Sequence, residues 1–156
     1  MSDGQIAGVM LEANTGEVSA ALIALADSAN ATVTTFATMI VTDHKAANSN
    51  LVNIVRQDSI TVAGSAVRQM LSAEASRTLS ALISTPPSTF DATYVLSQVT
   101  IHTMVLQLLD DQLIPKVEDA SLKTELQSER ATVMNHLTAA QQLLNGNGGG
   151  DADRGN

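Results

Sequence analysis

The chain has 156 residues, a length that supports one domain with a sizeable hydrophobic core and is short for two. Hydrophobic residues make up 44% of the sequence and aromatic residues only 2%, so the predicted core is aliphatic. The net charge of −8 disfavours nucleic-acid binding and docking on an anionic membrane, because both need a basic surface. The absence of cysteine excludes disulfide bonds and thiolate metal ligands.

Abundant helix-forming residues and the near absence of strand patterns predict an all-α fold. No uninterrupted run of about 20 apolar residues is present, so direct membrane insertion is not expected. Met1-Ser2-Asp3 leads straight into an amphipathic segment, so an export signal is not recognised in this sequence.

The first half of the chain predicts three helices from the spacing of apolar positions and from capping residues. Asp3 is expected to cap a first helix that runs to about residue 29. Asn30 marks the break and is expected to cap a second helix over residues 31–57. A shorter helix is predicted over residues 65–84.

The second half predicts two further long helices. Two consecutive prolines end the third helix, because neither can donate a backbone hydrogen bond. Ser88 or Thr89 is then expected to cap a fourth helix that ends near residue 114. Asp119 is expected to cap a fifth helix that ends near residue 145.

The connections between these helices predict the topology. Short links within the first and the last pair of long helices make each pair an antiparallel hairpin. Roughly thirty residues separate the two hairpins, enough for the chain to cross the whole bundle. We therefore expect a ferritin-like antiparallel four-helix bundle over residues 1–145, with a short extra helix in the long crossover. The Gly- and Asp-rich residues 146–156 are expected to form a disordered tail.

The chain contains three histidines, His44, His102 and His136, each near the midpoint of a different long predicted helix. Glu17 lies near the midpoint of the remaining long helix. The turn near residue 30 places Glu17 level with His44, and the second hairpin places His102 within about 5 Å of the level of His136. All four positions continue apolar helix faces, so their side chains are expected to point inward.

Three imidazoles and a carboxylate at one level of a helical core form a ligand set for one transition metal ion. Zinc is the first expectation, because this set suits a closed tetrahedral site, and copper or iron is possible. A di-iron centre is not expected. Val41 and Val133 stand three residues before histidines, where a di-iron site needs glutamates.

Three further polar residues are expected next to the ligands. Asn14 and Asn48 fall at equal depth in the first hairpin and are expected to face each other and set helix register. Asp43 is either a hydrogen-bond partner that orients an imidazole or a carboxylate at the edge of the core.

Two other groups on these faces allow more than one interpretation. Glu129 shares the predicted face of His136, but a pair with Arg130 or Lys123, or solvation, is favoured over metal ligation. Each long helix also carries one methionine, which suits copper(I), although core filling is the favoured interpretation.

Several segments together resemble a known protein family. The segments are Glu12–Glu17, Phe36–Asn48 with its Asp-His-x-x-x-Asn block, Phe90–Tyr94 with His102, and His136-Leu137. They are similar to a bacterial family of ferritin-like domains of unknown function, whose members were once described as predicted outer membrane proteins. The resemblance covers about residues 3–144 and implies an exported, periplasmic or envelope-associated protein, without implying an activity. Its pattern positions here are Glu17, Asp43, His44, Asn48, Asp91, Tyr94, His102 and His136.

Two functional interpretations remain open from the sequence. The first is a metal-binding bundle that serves in metal binding, storage, sensing or structural stability, with an unspecified protein partner. The second is a metal-free structural or interaction bundle whose polar core layer sets helix register. Catalysis is not expected, because no nucleophile elbow, Gly-rich phosphate loop or zinc-protease helix occurs. A hydrolase that uses zinc-bound water would require Glu17 to leave one metal position open.

Overall fold

The computed structural model describes residues 1–147 and shows an all-helical chain. The helices are α1 (Asp3–Asp27), α2 (Ala31–Gln57), α3 (Ala66–Ser84), α4 (Pro87–Leu108) and α5 (Ala120–Asn147). A π-helical segment, Leu109–Leu113, continues α4. No strand occurs in residues 1–147, so the predicted all-α class is confirmed. Of the predicted tail, residues 146 and 147 belong to α5, and residues 148–156 lie outside the described residues.

Two predicted helix caps are confirmed. The Asn30 side chain accepts hydrogen bonds from the backbone N–H groups of Thr32 and Val33 at the start of α2. The Asp119 carboxylate accepts one from the backbone N–H of Leu122 at 2.8 Å in the first turn of α5. Both side chains replace partners that the first turn of a helix lacks.

The predicted cap of α1 is wrong. Ser2 caps this helix and forms a capping box with Gln5. The Asp3 carboxylate instead accepts hydrogen bonds from the backbone N–H groups of Glu118 and Asp119 at 2.9 and 3.0 Å. Asp3 therefore joins the start of the first helix to the connection before the last one.

The predicted cap of α4 is also wrong, because the helix begins at Pro87 rather than after Ser88 or Thr89. Pro86 precedes it and makes no side-chain capping hydrogen bond. Proline suits the first helical position, since its ring holds a helical φ and it has no N–H group that needs a partner.

The four long helices pack side by side around one interior. α1 packs along α2, and α4 packs along α5, as expected for two hairpins with short connections. α2 also contacts α5, and α1 contacts α4. α3 lies along α1 and touches α4, so it covers the outside of the α1–α4 pair.

The connection between α2 and α3 packs closely against α1, because α1 carries glycine where the two backbones meet. The backbone N–H of Ala63 donates a hydrogen bond to the carbonyl of Gly4 at 2.9 Å. A Cβ atom at Gly4 would lie 1.9 Å from the Thr61 carbonyl oxygen, and one at Gly8 would lie 2.6 Å from that of Ala63. Glycine at these two positions therefore permits the close approach of the two backbones.

The interior consists of two hydrophobic clusters separated by a polar level. One cluster contains Ile6, Met10, Leu51, Leu109 and Leu122, among others. The other contains Ala20, Phe36, Ile40, Leu82 and Tyr94, among others. Between them, along each long helix, lie the buried polar residues Asn14, Glu17, His44, Gln98, His102, Glu129 and His136.

Two segments, Asp3–Asp27 and Pro87–Leu113, are long and apolar enough to span a membrane by length and composition alone. Neither segment is an unbroken apolar run, so the expectation that the chain does not insert into a membrane stays a prediction. Mean hydropathy tolerates polar residues such as Glu12 and Glu17 within a helix. A core helix of a soluble protein passes the same criterion, and 44% of each apolar window is buried here.

Candidate metal centre

The three imidazole rings lie together in the polar level. Ring centroids are 5.8 Å apart for His44 and His102, 5.2 Å for His44 and His136, and 5.3 Å for His102 and His136. The exposed fraction of each residue is 4% or less. One nitrogen from each ring lies within 4.8 Å of the corresponding nitrogens of the other two.

The protonation of His102 follows from its hydrogen bond to the backbone. Its Nδ1 lies 2.8 Å from the carbonyl oxygen of Gln98, one helical turn earlier. A carbonyl oxygen only accepts, so Nδ1 carries the hydrogen and donates it. The neutral ring then has its lone pair on Nε2, which faces His136 Nδ1 at 3.3 Å.

His136 is held in the same manner, but here Nε2 donates the hydrogen bond, whereas in His102 the donor is Nδ1. Its Nε2 lies 2.9 Å from Oδ2 of Asp43. A carboxylate oxygen accepts, so Nε2 donates and the lone pair of the neutral ring is on Nδ1. Asp43 is 41% exposed, so one side chain serves both roles that the sequence left open for it.

His44 completes the arrangement. Its Nδ1 lies 2.9 Å from the amide oxygen of Asn14, and the Asn14 amide nitrogen donates to Oε2 of Glu129 at 3.1 Å. The Asn14 oxygen is therefore the acceptor, and His44 Nδ1 is the donor. The lone pair lies on His44 Nε2, a buried atom without a hydrogen-bond partner.

Each histidine thus uses one nitrogen to donate to an oxygen that lies outside the cluster. The nitrogen that remains on each ring carries a lone pair, and these atoms are His44 Nε2, His102 Nε2 and His136 Nδ1. Three lone pairs in one buried cluster repel one another unless a cation or a proton lies between them. The three lone pairs therefore make this cluster suitable for binding a positively charged ligand.

Burial keeps the three rings neutral. Burial lowers the pKa of His44 well below its ordinary value, and charge on His102 or His136 lowers it further. Burial lowers the pKa of His102 to about 4, against the opposing effect of the Gln98 carbonyl. Burial also lowers the pKa of His136, although the hydrogen bond with Asp43 opposes it. Neutral imidazole is the form that binds a metal.

Glu17 lies beside the cluster rather than within it. Its Oε1 is 4.0 Å from Nδ1 of His102, the nitrogen that bonds the Gln98 carbonyl. Burial raises the pKa of Glu17 to about 8, and the Gln98 side chain and His136 offset this rise only in part. Among the described residues, the group of three candidate ligand residues whose atoms all lie within 4.8 Å of one another consists of the three histidines and does not include Glu17. The assignment of Glu17 as a fourth ligand stays a prediction.

The predicted pairing of Asn14 with Asn48 is not formed, because Asn14 uses both ends of its amide on His44 and Glu129. The Asn48 amide nitrogen instead donates to the Thr15 hydroxyl at 3.4 Å. The two asparagines were predicted to pair because they lie at equal depth on neighbouring helices. Their side chains point in different directions, however, and so each has a different partner.

Glu129 differs most from its sequence-based interpretation. It is 4% exposed, and it bonds Asn14 rather than Arg130, which pairs with Asp110. Burial raises the pKa of Glu129 to about 7, and the hydrogen bond from Asn14 only partly opposes this. The position of Glu129 two helical turns before His136 was the available signal for its burial.

Gln98 was not recognised from the sequence. It is fully buried, its carbonyl holds His102, and its side chain lies beside Glu17. Its spacing of four residues before His102 places it on the same helix face.

The family model described as "Domain of unknown function (DUF4142)" matches residues 1–143. The chain belongs to this family. The resemblance to a family of domains of unknown function is thereby confirmed, while the matched description contains no ferritin-like or outer-membrane attribute. No curated protein and no solved structure matches the chain.

Two cavities adjoin the polar level of this DUF4142 domain. A cleft of about 210 Å³ lies between α2 and α5 and is lined by Asp43, His44, Glu125 and Glu129, among others. A cavity of only about 20 Å³ lies on the other side, beside Glu17 and Gln98. The histidines are therefore closest to open space on the α2–α5 side.

Proposed function

We propose that this DUF4142 protein is a metal-binding helical bundle with one mononuclear site formed by His44, His102 and His136. The proposal is carried by one observation: the hydrogen bond of each ring leaves a lone pair in the same buried cluster. Zinc is the first choice of metal, with copper and iron as alternatives that imidazole also binds well.

The one short distance inside the cluster supports a metal of this size. Zinc–imidazole bonds are about 2.0–2.1 Å long, and tetrahedral geometry then separates two ligand nitrogens by roughly 3.3 Å. His102 Nε2 and His136 Nδ1 are 3.3 Å apart. Oxygen acceptors on the outer nitrogens complete the arrangement, since metal-bound histidines usually donate their second N–H to such a group.

The wider proposal concerns fold and role. We infer a ferritin-like topology from two antiparallel hairpins that are joined by a crossover containing α3. The site lies within the core, and this position favours metal storage, sensing or a structural role over turnover of a substrate. An exported location remains part of this proposal and rests on the family resemblance alone.

The decisive experiment measures metal content and stability together. Protein purified without a metal-affinity tag is expected to bind one zinc or cobalt(II) ion per chain, and His102→Ala is expected to bind none. At metal concentrations about 1,000 times Kd, wild type should gain roughly 4 kcal/mol of unfolding free energy over chelator-treated protein. His102→Ala should gain nothing, while the core variant Leu106→Ala should keep the full gain from a lower baseline.

A metal-free polar core is the second candidate, and one contact favours it. His102 Nε2 and His136 Nδ1 are 3.3 Å apart, close enough to form a hydrogen bond if one of the two rings takes up an additional proton. In that case His102→Ala destabilises the protein equally with and without a chelator, and no stoichiometric metal is found. That result would remove the metal proposal.

The pH dependence of metal binding tests whether Glu17 is a fourth metal ligand. The pKa of Glu17 is about 8, so a ligand role requires the metal to displace its proton at neutral pH. Affinity would then rise about tenfold per pH unit from pH 6 to pH 8, and Glu17→Gln would remove this slope. For a site of three histidines alone, affinity changes much less over this range, because burial lowers the pKa of each ring from its ordinary value, and Glu17→Gln still binds one ion. Isothermal titration at pH 6, 7 and 8 distinguishes the two cases.

A further inference from the structure

The cleft between α2 and α5 has the charge of a cation site. Asp43, Glu125 and Glu129 contribute three carboxyl groups to its lining, and none of the lining residues is lysine or arginine. Asn50 donates a hydrogen bond to Glu125 Oε1 at 3.1 Å, which links the two helices across the cleft. Carboxylate and amide oxygens are common ligands of hydrated divalent cations.

Two buried atoms give this cleft a second mark of a ligand site. Glu129 is 4% exposed, lines the cleft, and has no hydrogen-bond partner on Oε1. His44 is also 4% exposed, lines the same cleft, and has no partner on Nε2. Buried polar atoms are nearly always paired, so Glu129 Oε1 indicates a missing partner in the cleft, and His44 Nε2 indicates one at the histidine cluster beside it.

The residues along the cleft are ordered by depth toward the histidines. Glu125 is half-buried near the surface, and Glu129 lies one helical turn further along α5 and is buried. Glu129 bonds Asn14, and Asn14 bonds His44. A cation that exchanges its ligands along this series moves from solvent to the imidazoles in short steps.

The size of the cleft fits a hydrated ion. At about 30 Å³ per water molecule, roughly seven waters fill its volume of about 210 Å³. The cavity on the opposite side, at about 20 Å³, has room for only about one water molecule. There α3 closes the wall, and a Cβ atom at Gly16 would lie 3.0 Å from that of Ala75.

We propose that the acidic cleft between α2 and α5 is the route by which a divalent cation reaches the three histidines. Glu125 and Glu129 capture the hydrated ion, and His44 is the first imidazole that it meets. This inference rests on the proposed metal centre and adds to it the path and the residues that capture the ion. It predicts that the cleft governs the rate of metal uptake, whereas the histidines govern its stoichiometry.

The test is the rate of cobalt(II) uptake by the metal-free full chain, followed by absorption after rapid mixing. Glu125→Gln and Glu129→Gln are expected to slow uptake by about three- to tenfold at low ionic strength, because each removes part of the field that concentrates cations in the cleft. One cobalt per chain should still bind at the end. Glu118→Gln makes the same change of side chain at an exposed residue outside the cleft and is expected to stay within about twofold of wild type.

A steric pair tests the path without altering charge. Ala46 is an exposed residue that lines the cleft, and Ala131 is an exposed residue of α5 that does not. Ala46→Phe is expected to slow uptake by at least about fivefold, while Ala131→Phe leaves the rate unchanged. Both positions are on the surface, so neither variant removes core packing.

Two results would overturn the inference. The first would exclude only the path, and the second would also exclude the metal centre. Equal uptake rates for Glu125→Gln and Glu118→Gln, and for the two phenylalanine variants, would exclude this path and leave the metal centre intact. A wild-type protein that binds no cobalt or zinc at equilibrium would overturn the metal centre and the path together.

Discussion

The Glu129 carboxyl shows how strongly a single buried group affects this protein. Its pKa is about 7 in the folded chain, against an ordinary value of 4.5. Between these values the unfolded chain has released a proton that the folded chain still holds. The contribution of Glu129 to stability therefore falls as pH rises from about 4.5 to about 7, and it stays constant at higher pH.

Replacing Glu129 with glutamine should remove this dependence, because the amide does not ionise and still offers an oxygen to Asn14. The unfolding free energy of Glu129→Gln is expected to match wild type near pH 5 and to exceed it at pH 8 by about 2–3 kcal/mol. Urea denaturation from pH 5 to pH 8 with a chelator present measures the difference. Glu118→Gln, at an exposed carboxylate, should parallel wild type throughout. Parallel curves for Glu129→Gln would contradict the raised pKa.

The residues of the site were predictable from the sequence to different degrees. Helical periodicity and loop position suffice to place His44, His102 and His136 at one inward level, because both depend only on counting residues. The partners of each ring were less accessible. A backbone carbonyl such as that of Gln98 has no sequence signature, and the partner of Asn14 depends on side-chain direction at a three-helix contact.

At the scale of elements, the α2–α3 connection is held by its contact with the first two turns of α1. Gly4 is required there because any Cβ atom would lie against the backbone of Thr61, which a side-chain rotation cannot relieve. Gly64 lies in the same connection. A Cβ atom added there would meet no other atom within 4 Å, and the φ angle of Gly64 is not positive. These two glycines therefore form a matched pair for mutation.

Gly4→Ala is expected to destabilise the protein by about 2–3 kcal/mol and to lower its melting temperature by roughly 5–10 °C. The direction is opposite to helix propensity, which favours alanine within a helix. Gly64→Ala is expected to stay within about 1 kcal/mol of wild type, because it only restricts the unfolded chain. Thermal unfolding of both variants checks this, and a neutral Gly4→Ala would show that the connection moves away from α1 at little cost.

The helices themselves were largely predictable, and their ends less so. The bounds of α2 and the cap at Asn30 follow from local rules alone. At the start of α1, two neighbouring residues could each have capped the helix. Ser2 is the cap, and this leaves the Asp3 carboxylate free to accept hydrogen bonds from the distant residues Glu118 and Asp119. Local rules could not rank two good capping residues in a row, because the choice depended on contacts made more than 100 residues away.

At the scale of the whole molecule, the polar level divides the interior into two hydrophobic clusters. Each cluster draws residues from both hairpins, so the hairpins dock through two apolar contacts with the histidines between them. A purely aliphatic core would tolerate a shift of one hairpin along the other by a helical turn. Here such a shift would separate His44 from His102 and His136 and leave buried polar groups without partners, so the level defines one register.

The distribution of the three histidines over the two hairpins has a kinetic consequence. His102 and His136 belong to the α4–α5 hairpin and are 34 residues apart, whereas His44 comes from the α1–α2 hairpin. An ion bound by all three connects the hairpins only after they have docked, so it stabilises the native state more than a transition state in which docking is incomplete. An ion bound in this way would slow unfolding far more than it would speed folding. The lifetime of the folded chain, and with it resistance to proteolysis, would follow the concentration of free metal around it.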